Sequence, residues 1–375
     1  MAKHTSTTDL SIFKSRIKRL RATLRKQSIE FFLITNPLDV AYLTGFHGGD
    51  SYLLLSASGS TIVSDFRYQE ELEPIAPLAD IVIRKGTMTQ AIAQLFKELA
   101  IKVCSVQAET MTLGERAAIG AAIGRGGEKR LQPCSGLLAA MRVIKDESEV
   151  ALIKKAARIQ EEALLAVLPT LRPGMTEMEV AAGIEAEMKK RGSSAPGFQT
   201  IVAADPNGSL PHYRPGKTKL AKNKCVLIDW GAIYQGYHSD MTRVFALGKW
   251  PAKIAEIYKI TLDAHLAAAA ALAPGKSTRE IDAIARNHIA RHGYGDYFGH
   301  GLGHGLGFNG HEDPRLSNMV GETFLAEGQV VTIEPGIYLP GIGGVRIEDD
   351  FLITARGSKN LCTLPTSLEW STLKI

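Results

Sequence analysis

The chain has 375 residues, 45% of them hydrophobic and 22% charged, with a formal net charge of +5. That length exceeds what one core ordinarily organises and suits two domains. The composition is that of a soluble globular protein, which excludes fibrous and disordered classes. Four scattered cysteines (Cys104, Cys134, Cys225, Cys362) with no CxxC pair argue against a disulfide framework or a thiolate metal site, and read as buried free thiols.

The opening "MAKHTSTTDL" lacks the apolar stretch of a secretory leader, and no later apolar run reaches membrane-spanning length. A cytoplasmic protein that neither enters a membrane nor needs one is expected. In "IFKSRIKRLRATLRK", Ile12, Ile17, Leu20 and Leu24 recur at helical spacing, so the basic residues between them read as a solvated helix face. Without interleaved aromatics, this stretch gives no reason to expect nucleic-acid binding. "IEFFLITN" and "SYLLLSASGSTIVSD" read as buried strands, the latter two joined at "SASGS", and "TQAIAQLFKELA" as an amphipathic helix. An α/β domain over residues 1–143 follows, with a second domain over 144–375.

From Lys145 the texture changes. "KDESEVALIKKAARIQEEALLAVLPTL" is a long helical pattern ended by Pro173-Gly174. Two further helices open with capping boxes, Thr176 with Glu179 and Ser277 with Glu280, and Gly192 stops the first of them. Between the helices run apolar strands: "KCVLIDWG", "QVVTIEPGIYL" and "GVRIEDDFLIT".

Carboxylates stand inside those strands. Asp229, Asp240, Glu334 and Glu348 each fall within or beside a run that reads as buried, where an uncompensated charge is very costly. Each needs a cation or strong donors. Arg243 and Arg346 could supply buried salt bridges; a shared metal site could serve all four acids at once. "GHGLGHGLGFNGHEDP" adds His300, His304 and His311 within twelve residues. A phosphate loop would place a lysine and a hydroxyl after its glycines, and neither is present. Here glycine lets the backbone approach a neighbour closely or take positive φ, so that the histidines converge. Oxygen-rich ligands with an imidazole or two suit Mn²⁺, Co²⁺, Fe²⁺ or Zn²⁺, and two ions sharing bridging carboxylates balance four acids better than one.

In this order and approximate spacing, Asp229, Asp240, His304, Glu334 and Glu348 resemble the ligand set of the pita-bread metallopeptidases, which include methionine aminopeptidase, aminopeptidase P and prolidase. "DWGAIYQGYHSDMTR" resembles the segment carrying the family's two aspartates, "HGLGHGLGFNGHEDP" its histidine loop, "TIEPGIY" and "GVRIEDD" its two glutamate strands. "NPLDVAYLTGF" and "SDFRYQEELE" resemble the amino-terminal domain of the creatinase, prolidase and aminopeptidase P branch. The fold implied is an α/β amino-terminal domain followed by an α+β pita-bread catalytic domain.

The resemblance also implies roles. Asp229 would hold one divalent ion, His304 and Glu334 the other, with Asp240 and Glu348 bridging. A hydroxide between the ions would attack an Xaa-Pro bond, Glu334 would shuttle the proton, and His212 (in "LPHYRPG") and His311 would steady the substrate. His300, Arg346 and Arg315 are placed in the substrate pocket. Arg346 could equally neutralise surplus carboxylate charge, and for Arg315 a surface arginine is the favoured alternative. Thr242 and Arg243 are expected to orient Asp240. The cofactor expected is a pair of divalent ions, Mn²⁺ first, and the partner a proline-containing peptide or dipeptide. A homodimer is implied, and Arg315 with the short amino-terminal domain tilts the reading toward a dipeptidase. The competing readings are a non-catalytic peptide-binding module, a methionine aminopeptidase, and a lyase or other hydrolase on the same fold.

Overall fold

The computed structural model describes residues 10–375; the first nine residues, on which the expectation about a secretory leader falls, lie outside the described residues. The chain divides into two compact units after Met141.

In the first unit a six-stranded mixed sheet runs in the order Asp80–Ile83, Ser60–Ser64, Tyr52–Ser56, Phe31–Ile34, Cys104–Gln107, Leu131–Cys134. The hairpin read at "SASGS" forms, pairing Tyr52 with Val63 and Leu55 with Ser60. Helix Met88–Glu98 starts on a Thr87–Gln90 capping box and buries Ile92, Leu95 and Phe96, a spacing that keeps one face apolar. The basic helix is Ser11–Lys26, and it buries Ile17, Leu20 and Leu24. One of its cations departs from the expected solvated face. Arg16 is buried, donates Nη1 to the Tyr42 carbonyl at 2.9 Å, and lies over the Tyr42 ring.

In the second unit, helix Glu147–Val167 is capped by Asp146 with Glu149 and packs beside helix Glu177–Lys190. Both lie on one face of the four-stranded sheet ordered Thr372–Leu373, Met241–Leu247, Cys225–Trp230, Ile201–Ala204. Strand alternation divides the side chains. Val226, Ile228 and Trp230 meet these helices, while Leu227, Val244 and Ala246 face a second core. That core also takes helices Ala252–Ala270 and Thr278–Arg291 and the strands Val330–Ile333 and Asp349–Thr354. The latter belong to a five-stranded sheet, Glu312–Leu316, Gly303–Gly305, Val330–Ile333, Asp349–Thr354, Gly357–Asn360. Strands Gly336–Leu339 and Gly343–Arg346 form a separate ribbon.

The box at Thr176 and Glu179 closes in both directions. At Ser277 the side chain accepts from the Glu280 amide at 3.3 Å, and its hydroxyl proton goes to Glu322 at 2.6 Å, a contact that sequence spacing does not show. None of the described helices is long and apolar enough to cross a membrane.

Candidate functional site

The acids are brought together by register. Thr242 pairs with Asp229 across one strand boundary and bridges to Glu348 across the other. Asp229 shares the parity of Leu227, so its carboxylate turns to the face where the ribbon and the second sheet meet the first. Asp240 stands just before strand Met241–Leu247, its amide donating to Asp350 Oδ2 at 3.1 Å. His304 is the middle residue of Gly303–Gly305. The glycines beside it are there for close approach. A Cβ on Gly303 would lie 2.0 Å from the Thr332 carbonyl oxygen, and one on Gly305 2.1 Å from that of Asp313.

All ten residues expected at the site line one cavity of about 640 Å³: Asp229, Asp240, His304, Glu334, Glu348, His212, His300, His311, Arg315 and Arg346. His304 Nε2 lies 3.4 Å from Glu334 Oε1 and 3.8 Å from Asp240 Oδ2. Asp240, His304 and Glu348 offer three donor atoms within 4.8 Å of one another. Asp229 stands to the side, its Oδ2 accepting from Arg346 Nη2 at 2.6 Å while its buried Oδ1 has no partner.

The electrostatics of this cluster fit a divalent cation. Burial, then the neighbouring acids, pushes the Asp240 and Glu348 carboxyls well above the usual range. Burial pushes Glu334 up to about 8, against the pull of Arg346. Burial, followed by His311, pushes His304 down to about 3, so its ring is neutral. His304 Nδ1 lies 3.0 Å from the Gly305 carbonyl, which can only accept, so Nδ1 carries the proton. Nε2 therefore presents a lone pair to two carboxylates. A proton kept by one of the acids satisfies that lone pair in the metal-free protein, and a cation replaces it when bound; this oxygen-rich set with one imidazole suits a borderline or hard divalent ion.

Around the acids, the supports differ in part from expectation. Thr242 gives its hydroxyl proton to Glu348 Oε2 at 2.6 Å and accepts from Arg346 Nε at 2.9 Å, so it orients Glu348 rather than Asp240. Arg243, fully buried, donates to the Glu348 carbonyl at 2.7 Å and to Asp349 Oδ1 at 2.6 Å. The reason is the bridge between Thr242 and Glu348, which puts both side chains beside the wrong acid for a reading based on sequence proximity. Sequence reasoning missed His265, whose ring spans the Ile333 carbonyl and Asp349 Oδ2, each at 3.1 Å. It also missed Asp350 and Tyr338. The Tyr338 hydroxyl accepts from Arg346 Nη1 at 2.9 Å and donates to His300 Nε2 at 2.8 Å, while His300 Nδ1 donates to the Gly301 carbonyl. Tyr338 is the last residue of the quoted "TIEPGIY", and the strand's alternation from Glu334 was the available signal.

Arg346 is spent on Asp229, Tyr338, Thr242 and the Pro211 carbonyl. Arg315 forms no ion pair or hydrogen bond among the described residues; His212 and His311 lie exposed at the cavity.

Comparisons with known proteins show the family of both units. Residues 151–355 match metallopeptidase family M24, and residues 16–144 match the creatinase/prolidase N-terminal domain. The Xaa-Pro dipeptidase of Pyrococcus horikoshii is 37% identical over 356 residues, 94% of this chain and 98% of that protein. The solved Xaa-Pro dipeptidase from Bacillus anthracis is similar with a TM-score of 0.91 at 37% identity, covering 96% of this chain and 100% of the other. The X-Pro aminopeptidase from Thermotoga maritima MSB8 gives 0.87 at 32% identity, again covering 96% and 100%. The buried acids and the histidine loop thus belong to a pita-bread catalytic unit that follows an α/β amino-terminal unit along the chain, and the chain belongs to metallopeptidase family M24.

Proposed function

We propose that the enzyme hydrolyses Xaa-Pro bonds, most readily those of dipeptides, with two divalent ions held by Asp229, Asp240, His304, Glu334 and Glu348, Mn²⁺ being the native metal. The single observation that carries this reading is the convergence of those five donors with His212, His311 and an unpaired Arg315 on one cavity. The kinship with Xaa-Pro dipeptidases over nearly the whole chain supports the substrate class.

When bound, the ions supply Lewis acidity, making a water reactive at neutral pH and polarising the scissile carbonyl. The chain supplies the rest. His212 and His311 donate hydrogen bonds to the substrate oxygen as charge develops on it. The Glu334 carboxylate takes a proton from the attacking water and returns it to the proline nitrogen, which leaves as an amine. Arg346 balances Asp229 and walls the pocket together with His300, both of whose ring nitrogens are engaged. Arg315 takes the free carboxylate of a dipeptide, which gives the preference for short substrates. The reading includes a homodimer, as the resemblance implies, in the cytoplasm, a location that four unpaired thiols favour.

The test is hydrolysis of Ala-Pro, Ala-Pro-Ala and Met-Ala-Ala by metal-stripped protein reloaded with Mn²⁺. Cleavage of Ala-Pro alone is expected. Cleavage of Ala-Pro-Ala would move the enzyme to the aminopeptidases, and release of methionine alone would overturn the Xaa-Pro reading.

A further inference from the structure

The segment Asp205–Gly216 is held from several sides. The carboxylate of Glu177, fully buried at the start of helix Glu177–Lys190, accepts four hydrogen bonds, all from this segment or the residue before it. The donors are the Ala204 amide at 2.9 Å, Asn207 Nδ2 at 2.9 Å, the Tyr213 hydroxyl at 2.8 Å and the Gly216 amide at 3.0 Å. From the other side, Gly208 packs on Gly344, where a Cβ on Gly344 would lie 2.0 Å from the Gly208 carbonyl oxygen. The Pro211 carbonyl accepts from Arg346 Nη1 at 3.4 Å.

The anchors alternate along the chain. Pro211 is tied through its carbonyl and Tyr213 through its hydroxyl, whereas His212 and Arg214 between and beyond them are exposed, and both line the catalytic cavity. Arg214 has no ion pair or hydrogen bond among the described residues. An arginine at a solvated surface needs no partner. An arginine presented at a substrate cavity on a segment fixed by its neighbours is different, because the ordering of its backbone is already complete before a ligand arrives.

We propose that Arg214 is a specificity-determining residue that binds the free α-carboxylate of the substrate. A guanidinium matches a carboxylate with two parallel N–H donors. The ligand class is therefore a short peptide ending at or just after proline, with its carboxylate ionised. This rests on the Xaa-Pro reading above and adds a second cation to Arg315.

The experiment compares Ala-Pro with its carboxamide, Ala-Pro-NH₂, each measured as substrate or, if uncut, as a competitor of Ala-Pro. The proteins are Mn²⁺-loaded wild type, Arg214→Met and Arg214→Lys. Arg214→Met is expected to raise KM for Ala-Pro at least tenfold, with a shift below threefold in the carboxamide's KM or inhibition constant and kcat for Ala-Pro within threefold. Arg214→Lys should recover part of the loss. An unchanged KM for Ala-Pro, or equal weakening of acid and amide, overturns the inference while the Xaa-Pro reading stands. A wild-type protein that cuts no Xaa-Pro peptide removes that reading, and this inference with it.

Discussion

The imidazole of His304 stacks on that of His311, ring centroids 3.9 Å apart and planes 23° from parallel. One ring turns its Nε2 toward Glu334 and Asp240, and the other stands at the open side of the cavity. The pair therefore joins the acid cluster to the place where substrate enters. His311→Asn should lower kcat/KM for Ala-Pro about a hundredfold, the cost of losing one donor to a developing oxyanion. Metal content, measured by mass spectrometry, should hold, and a loss of metal would instead make His311 a support for His304.

Removing the metal should change how stability depends on pH. In the metal-free protein Glu334 is pushed up to about 8 by burial, and Asp240 and Glu348 are also raised. Groups whose folded pKa is raised bind protons more tightly in the folded state, so their contribution is full below the ordinary carboxylate range and is lost as pH rises toward 8. Chelation should thus lower Tm more at pH 8 than at pH 5. Asp240→Ala and Glu348→Ala should abolish metal binding and hydrolysis, yet leave the fold intact by circular dichroism.

The ion pair of Arg243 with Asp349 is buried on both sides, with exposures of 0% and 2%. Asp349→Ala would leave a buried guanidinium uncompensated, which costs about 3–5 kcal/mol. Denaturant unfolding of the metal-loaded protein should show that loss. Asp349→Asn, which keeps an acceptor for Arg243, should lose less.

Glu177→Gln replaces one acceptor oxygen of a four-bond anchor by an amide donor. Hydrogen bonds to a charged group are worth about 1.5–3 kcal/mol, so backbone amides of residues 204–216 should exchange faster by at least tenfold. KM for Ala-Pro should rise severalfold with kcat little changed. Unaltered exchange in both Glu177→Gln and Tyr213→Phe would show that the segment is held by other contacts.

The buried acids of this cavity were legible because carboxylates inside apolar strands conflict with their setting, and a conflict shows in one sequence. Asp229 in "CVLIDWG" and Glu334 in "VVTIEPG" needed no partner to be noticed. The supports were illegible for the opposite reason. Glu177 sits in a helix start where an acid is ordinary, and its partners lie 27 to 39 residues away. Thr242 was assigned to the acid nearest in sequence, whereas strand pairing hands it to Glu348, 106 residues on. The glycines around His304 allowed two readings, and only the neighbouring Thr332 and Asp313 carbonyls favour close approach.

In the segment Pro211–Arg214, scaffold and recognition occupy alternate positions. Exchanging the side chain at 212 or 214 leaves the Pro211 carbonyl on Arg346 and the Tyr213 hydroxyl on Glu177 where they are. Such an arrangement lets a lineage, or a designer, retune which peptides are accepted by drifting position 214 while His212 is kept, with little risk to folding. Variation at 214 between fixed neighbours among relatives would be the mark of that freedom.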